Sequence, residues 1–358
     1  MKSIGYLIRL VLLVLNILVA VGFLISAYST YIYPVEHPVW SCTGLFFPFF
    51  IVGNVGFLLL WLCMKQWYAL LPLFTLGAGW GSLSTYFPLG TAREPQGDVI
   101  KLLTYNTQGI AAAKEYSKED GNPVLNYLAQ SNADIICLQE FTVSGKIKQK
   151  EVDRILSSYP YHKQVQIEGG SGLACYSRYP ILSGKRIDYP SKYNGSALFR
   201  LKVGEDTLVL INNHLESNKL DMHDKEMYND MLKSPGEANV KSSGKHLLHK
   251  LAEAAAIRAP QADSVARVIE RHPTPYILVC GDFNDSPVSY AHRVIGEGLT
   301  DAYAEAGAGP GFTYNQNHFY FRIDHIFAGS GFRVLQCKVD RSIRASDHYP
   351  VWCLLEKK

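Results

Sequence analysis

Eight polar side chains stand at the ends of short apolar runs in this 358-residue chain. Asn106 follows KLLTY, Glu140 follows DIICLQ and His214 follows LVLINN. Asp282 and Asn284 follow YILVCG, Asp324 lies within FRIDHIF, and Asp347 and His348 precede the last apolar run. Strand ends are rigid and aim side chains at a shared cleft. Carboxylate and amide oxygens are hard ligands, suited to Mg²⁺ or Mn²⁺. A zinc site needs more His or Cys at motif spacing, and none is seen. Such a set suits attack on an anionic ester. A divalent ion offsets the substrate's charge, a carboxylate positions water, and a histidinium paired with a carboxylate stabilises developing charge.

The elements that must hold these groups are legible as runs of β-branched and aliphatic residues. Strands are expected at Val99–Tyr105, Asp134–Gln139, Gly172–Tyr176, Ala197–Val203, Thr207–Asn212, Tyr276–Cys280, Ile323–Phe327 and Val351–Leu355. Helices are expected near Pro123–Gln130 and Glu151–Ser158, and a long polar, helical insert over about 217–272. Strands this apolar are buried on both faces, so two packed sheets with helices outside is the expected arrangement.

The first 90 residues differ. They hold only Lys2, Arg9, Glu36 and Lys65, so 63 of the 67 charged side chains lie beyond them. The runs 10–35, 37–64 and 66–92 lack Lys, Arg, Asp and Glu. Each exceeds the roughly 20 residues that cross a bilayer as a helix. About three spans are therefore expected in 1–90, around Ile4–Tyr28, Leu45–Met64 and Trp67–Phe87; the third is interrupted by Pro72 and glycines. An uncleaved anchor fits the first run better than a signal peptide, because the run is long and no A-x-A site follows. Lys2, Arg9 and Lys65 place the N-terminus and the 64–66 loop in the cytoplasm. A linker at 91–98 then leads to a domain, 99–358, outside it. That layout suits a bacterial inner-membrane protein with a periplasmic catalytic domain, and the domain would flip to the cytoplasm if the third run did not cross.

Composition narrows the function classes. The net charge is +3, and 95–358 carries only one positive charge in excess, so a broad nucleic-acid footprint is absent. Seven cysteines without a CxxC pair read as small buried hydrophobes, not a disulfide framework. His246 and His249 read as part of a solvated helix face with Lys241, Lys245 and Lys250, and GAGPG (307–311) as a turn. Taken singly, the site candidates have plain readings too. Asn106 and GDFND suit turns, Glu140 a cap, His214 a core histidine, and Asp324–His348 a buried structural pair. One shared cleft accounts for all of them together.

The stretches TYN (104–106), LQE (138–140), NHLES (213–217), GDFND (281–285), RIDHIF (322–327) and SDHYP (346–350) resemble, in order, the signature of the endonuclease/exonuclease/phosphatase superfamily. GLACYSRYPI (172–181) is similar to the strand and turn before its histidine motif. The resemblance covers about 99–356. It implies a four-layer α/β sandwich in the α+β class and metal-dependent phosphoester hydrolysis. It implies Glu140 as the principal metal ligand, with Asn106 beside it and Asp347 as a further carboxylate. It implies Asp282 as the group that orients or deprotonates water, and Asn284 and His214 as phosphate contacts. It implies His348 as the stabiliser of the transition state, with Asp324 as its orienting partner. Arg178, Asn194 and Arg258 are candidate substrate contacts. The expected partners are the lipid bilayer and a phosphoester: a lipid head group, a small phosphate ester or, alternatively, DNA or RNA. A non-catalytic phosphate-binding scaffold is the remaining reading, and nothing singles out a protein partner. Whether one metal or two act stays open.

Overall fold

The computed structural model describes residues 2–110, 121–143, 147–169, 172–233, 240–316 and 319–358. Part of the insert, 234–239, thus lies outside the described residues. The helices are α1 (Lys2–Tyr28), α2 (Pro38–Ser41), α3 (Phe47–Cys63), α4 (Leu70–Ala78), α5 (Trp80–Tyr86), α6 (Pro123–Gln130), α7 (Gln149–Ile155), α8 (Met222–Lys233), α9 (Val240–Glu270), α10 (Tyr290–Gly296) and α11 (Ala302–Ala306). The strands are β1 (Val99–Asn106), β2 (Ile135–Phe141), β3 (Tyr161–Gln166), β4 (Gly172–Ser177), β5 (Ile181–Ile187), β6 (Gly195–Val203) and β7 (Asp206–His214). They continue with β8 (Ile277–Asp282), β9 (Thr300–Asp301), β10 (Tyr314–Gln316), β11 (Phe319–Phe321), β12 (Asp324–Ala328), β13 (Phe332–Val339) and β14 (Val351–Lys357).

Two six-stranded mixed sheets form, in the orders β13-β14-β1-β2-β4-β3 and β5-β6-β7-β8-β12-β9. Alternation along the central strands builds the layers. Leu102 and Cys137 face Leu210, Cys280 and Ile326 between the sheets. Leu103, Tyr105, Ile136 and Leu138 point the other way, onto Leu125 and Leu128 of α6 and Val152 of α7. Ile211, Ile277 and Val279 of the second sheet pack on Ala262 and Val265 of α9 and on Ile295 of α10. Helix, sheet, sheet, helix is the four-layer sandwich expected from the sequence. All eight expected strands form. The further strands β3, β5 and β13 lie at or near sheet edges, where polar and exposed residues such as those of YHKQVQ weaken the pattern. Six cysteines are buried, Cys63 is exposed, and none is bonded to another.

The N-terminal region folds back and forth on itself. Among the described residues two stretches, Gly5–Tyr31 and Pro38–Cys63, are helical, long and apolar enough to cross a bilayer. They run antiparallel: Trp61 Nε1 donates to Asn16 Oδ1 at 2.9 Å, and the Phe23 and Phe47 rings lie 5.1 Å apart. The third apolar run is not one helix. It breaks at Gly79, where a Cβ would lie 2.3 Å from the Phe23 ring, and continues as α5. It still returns along α1, since Ser82 Oγ donates to the Ala27 carbonyl at 2.7 Å and Tyr86 meets Phe47 at 5.8 Å. The end of α1, the start of α3 and the end of α5 therefore meet beside the two-sheet domain, and the 64–66 turn lies at the far end.

Gly281 shows how tightly the sheets close under the site. Its φ of +125° is rarely adopted by other residues, and a Cβ there would lie 2.1 Å from the Asn213 carbonyl oxygen of the neighbouring strand. Gly281→Ala is expected to cost about 2 kcal/mol or more, a fall of roughly 5 °C in the melting temperature of the detergent-solubilised full chain. An unchanged melting curve would contradict this packing.

Candidate active site

Strand register assembles the site. In the second sheet His214, Asp282 and Asp324 lie side by side on β7, β8 and β12. In the first sheet Asn106 ends β1 opposite Gln139. The β2–β4 pairing slips between Leu138 and Phe141, and Glu140 sits in this bulge with φ +50°. Bulges beside active sites re-aim side chains; here the Glu140 carboxylate turns into the cleft, with 37% of its side chain exposed. The loop before β14 adds Asp347 and His348. Ser346 Oγ latches that loop by donating to the Asn106 carbonyl at 2.8 Å.

Asp282 is the common neighbour. Its Oδ2 accepts from Asn106 Nδ2 at 2.9 Å and lies 3.8 Å from His214 Nε2 and 3.7 Å from His348 Nε2. Its Oδ1 accepts from the Asn284 N–H at 2.8 Å, which closes the GDFND turn. Asn284 takes φ +52° in that turn and gives its Nδ2 to the Leu215 carbonyl at 3.0 Å. Burial raises the Asp282 pKa above the ordinary carboxylate value, against the pull of the His348 and His214 imidazoles. His348 Nδ1 is 2.8 Å from Asp324 Oδ2. Burial alone would lower the His348 pKa, but Asp324 and Asp282 outweigh it and hold the ring well above its usual value. His348 is thus an imidazolium between two carboxylates.

Asp282, Asp324 and His348 each offer a donor atom within 4.8 Å of the others. With the Nδ1 of His348 committed to Asp324, this cluster is a proton-bearing relay; a cation there would compete with the imidazolium. The open oxygen donors are Glu140 and Asp347. Glu140 Oε1 lies 3.4 Å from Asn106 Nδ2 and 3.6 Å from His214 Nε2, and Asp347 Oδ2 accepts from Gln108 Nε2 at 3.3 Å. Their chemistry fits a hard divalent cation. Asn106 is oriented differently from the expected ligand. Its Nδ2 faces both Glu140 and Asp282, and its Oδ1 accepts from the Gln108 N–H at 3.1 Å, so it ties the carboxylates together.

The three expected substrate contacts fare differently. Arg178 is a correction. It follows the end of β4 remote from the cleft and pairs with Asp134 at 3.1 Å. β4 runs antiparallel to β2, so only its first residue is near Glu140. Asn194 is buried and spends its Nδ2 on His214 Nε2 at 3.2 Å and the Leu215 carbonyl at 3.0 Å, so it orients His214. Arg258 reaches the cleft wall, but its guanidinium holds the Asn284 carbonyl, Asn218 Oδ1 at 2.9 Å and Asp285 Oδ2 at 3.3 Å. It braces the GDFND turn from behind. His246 pairs with Asp224 at 3.0 Å on the α8–α9 face.

Sequence reasoning missed two layers. Beneath the site, Gln139 Nε2 donates to Thr104 Oγ1 at 2.9 Å and Asn212 Oδ1 at 2.6 Å, a polar clasp between the sheets. Thr104 and Gln139 lie inside the quoted motifs TYN and LQE and Asn212 just before NHLES, and a buried amide in an apolar strand was the available signal. At the rim, Lys225 lines the cleft 5.8 Å from the Tyr314 ring, which packs on His348 at 5.2 Å. Lys225 has no carboxylate partner among the described residues, and nothing in the insert's spacing marks it.

The match to known proteins follows this geometry. The family model described as the endonuclease/exonuclease/phosphatase family covers residues 103–348. The chain belongs to that family. Residues 9–86 match a second model, described as a domain of unknown function. An inositol phosphosphingolipids phospholipase C of Schizosaccharomyces pombe is 25% identical over 203 residues, 55% of this chain and 43% of the relative, so the chain spans less than half of that protein's length. Two solved structures share the fold. Humanized D. rerio TDP2 has a TM-score of 0.51 at 15% identity, with 72% of this chain and 99% of that one covered. The human Nocturnin catalytic domain has a TM-score of 0.51 at 15% identity, with 75% of this chain and all of that one covered. Members of the family are phosphoester hydrolases and typically use divalent metal ions, in keeping with the oxygen donors of this cleft.

The relay makes a pH prediction. The folded pKa of His348 lies above the unfolded value near 6.5, so its pairing stabilises the fold fully below about pH 6.5. That contribution is lost as pH rises through the raised folded value. Removing the partner charge in Asp324→Asn is expected to move the His348 titration, followed by NMR on isotopically labelled histidine, to lower pH. An unmoved titration would show that Asp324 does not hold the imidazolium.

Proposed function

We propose that this chain is a membrane-anchored, Mg²⁺-dependent phosphoester hydrolase, with Mn²⁺ able to replace Mg²⁺. The observation that carries the reading is Asp282, buried among Asn106, His214 and His348 and next to the cleft-facing Glu140. A divalent cation held by Glu140 and Asp347 would neutralise phosphoryl oxygens and polarise the ester bond. Asp282, with its raised pKa, accepts a proton from the water it positions. The water oxygen bonds to phosphorus, the P–O ester bond breaks, and the leaving oxygen takes a proton from solvent water and departs as an alcohol, while Asp282 returns its proton to solvent. His348 donates Nε2–H toward the phosphoryl oxygens as charge builds there, and Asp324 holds the ring in place. His214 and Lys225 bind the phosphoryl group from the other walls.

In the same reading the N-terminal region spans a bilayer. Lys2, Arg9 and Lys65 lie away from the catalytic domain along the antiparallel helices, so positive-inside ordering puts them in the cytoplasm and the domain outside. In a bacterial cell that side is the periplasm. The break at Gly79 does not prevent the third run from crossing, because glycine kinks are tolerated when neighbouring helices cover them, as Phe23 does here.

The test uses the full chain in nanodiscs with bis(p-nitrophenyl) phosphate as a soluble ester. Turnover is expected with Mg²⁺ and absent with EDTA, and Asp282→Asn is expected to lower kcat by about 10²-fold or more. Metal-independent turnover, or full activity in Asp282→Asn, would reject the reading. Nicking of supercoiled plasmid at a comparable rate would make the enzyme a tethered nuclease.

A further inference from the structure

The cleft is not built by the catalytic domain alone. Its polar floor of Asn106, Glu140, Asp282 and His348 meets an apolar wall formed by Cys42, Leu45, Leu251, Ala255, Val288 and Phe321. The first two come from the connection between α1 and α3. That connection is docked, not loosely tethered. A Cβ on Gly44 would lie 2.2 Å from the Val288 carbonyl oxygen, so the two backbones touch. Arg293 Nε donates to the Thr30 carbonyl at 2.9 Å, and the Tyr33 and Tyr290 rings meet at 5.3 Å. Cys42 and Leu45 pack on Leu248, Leu251, Ala252 and Ala255 of α9.

The segment that carries the wall also bears exposed apolar side chains beyond it. Leu45 is followed by Phe46, 47% exposed, and one helical turn on by Phe49, 71% exposed. Trp40, 58% exposed, stands on α2 before them. These belong to one of the two stretches apolar enough to sit in a bilayer. The cleft wall and one of those apolar stretches therefore share the segment 42–46.

We propose that this wall is a subsite for the glycerol- or sphingoid-side hydrocarbon of a bilayer lipid, so that the substrate is a membrane amphiphile whose phosphodiester tips onto the floor from the adjoining leaflet. The inference rests on the hydrolase reading above and deepens it. A soluble ester makes no use of such a wall. For a lipid, raising the phosphodiester to Asp282 draws its first methylenes out of the bilayer, and each methylene left in water is unfavourable by about a fourfold factor in population. Leu45, Leu251 and Phe321 cover those methylenes. The wall acts on how the lipid reaches the floor and leaves the chemistry there to Asp282 and its neighbours.

The experiment reconstitutes the full chain in nanodiscs of phosphatidylcholine, phosphatidylglycerol and phosphatidylinositol. It compares their hydrolysis with that of dibutanoyl analogues and of bis(p-nitrophenyl) phosphate. The ratio of long-chain to dibutanoyl kcat/KM for a shared head group is expected to exceed about ten and to fall about tenfold in Leu45→Asn/Leu251→Asn, the effect of roughly two methylenes. A second measurement needs no variant. A phospholipid bearing a diazirine on the first carbons of its acyl chain is expected to label peptides containing 42–45 and 288 in the wild-type protein. Cleavage of bis(p-nitrophenyl) phosphate with no preference for long chains, or labelling confined to the outer faces of α1 and α3, overturns the inference and leaves the hydrolase reading standing. No Mg²⁺-dependent turnover of any of these esters overturns both.

Discussion

A carboxylate that must stay buried is the constraint on which the site depends. Asp282 ends the central strand of one sheet and is almost wholly removed from water. An isolated charge there would be costly. The structure offsets that cost with Asn106 from the opposite sheet and with the imidazoles of His214 and His348. Those partners come from β1, β7 and the loop before β14, so the charge is tolerated only when both sheets are packed in register. The Gln139–Thr104–Asn212 clasp and the Ser346 latch serve that same packing. Burial, which raises the Asp282 pKa, and the side chains that surround its carboxylate are thus the features that tie the fold together at this end.

The division of labour among the carboxylates follows from exposure. Asp324 and Asp282 are buried and face His348, whereas Glu140 is lifted into the cleft by a bulge and a left-handed backbone conformation. Buried carboxylates facing an imidazolium suit proton handling, and an open carboxylate suits a hydrated cation. The N-terminal region extends the argument from chemistry to access. Its loop completes one wall of the cleft, so the N-terminal region takes part in shaping the site.

Much of this was legible in the sequence because the informative residues sit at the ends of strongly apolar strands. Register did the rest: once β7, β8 and β12 pair, His214, Asp282 and Asp324 are neighbours. Substrate contacts were not legible in the same way. Arg178 follows a strand of the right motif but lies at its wrong end, and a motif does not show which end of an antiparallel strand faces the cleft. Asn194 and Arg258 lie near the site, yet their hydrogen bonds are spent on His214 and on the GDFND turn. Lys225 and the wall formed by Cys42 and Leu45 come from segments distant in sequence, and only docking onto the core places them. Polar edge strands such as β3 escaped because one face of each is wet and the alternation is weak.

The central claim is that Glu140, not the Asp282–Asp324–His348 relay, holds the metal while Asp282 stays free for water. Anomalous scattering from crystals of the full chain soaked in Mn²⁺ tests it directly. The account predicts a peak about 2.1 Å from a Glu140 carboxylate oxygen, with His348 Nδ1 still on Asp324. A peak inside the relay, bound by Asp324 and His348, would contradict it.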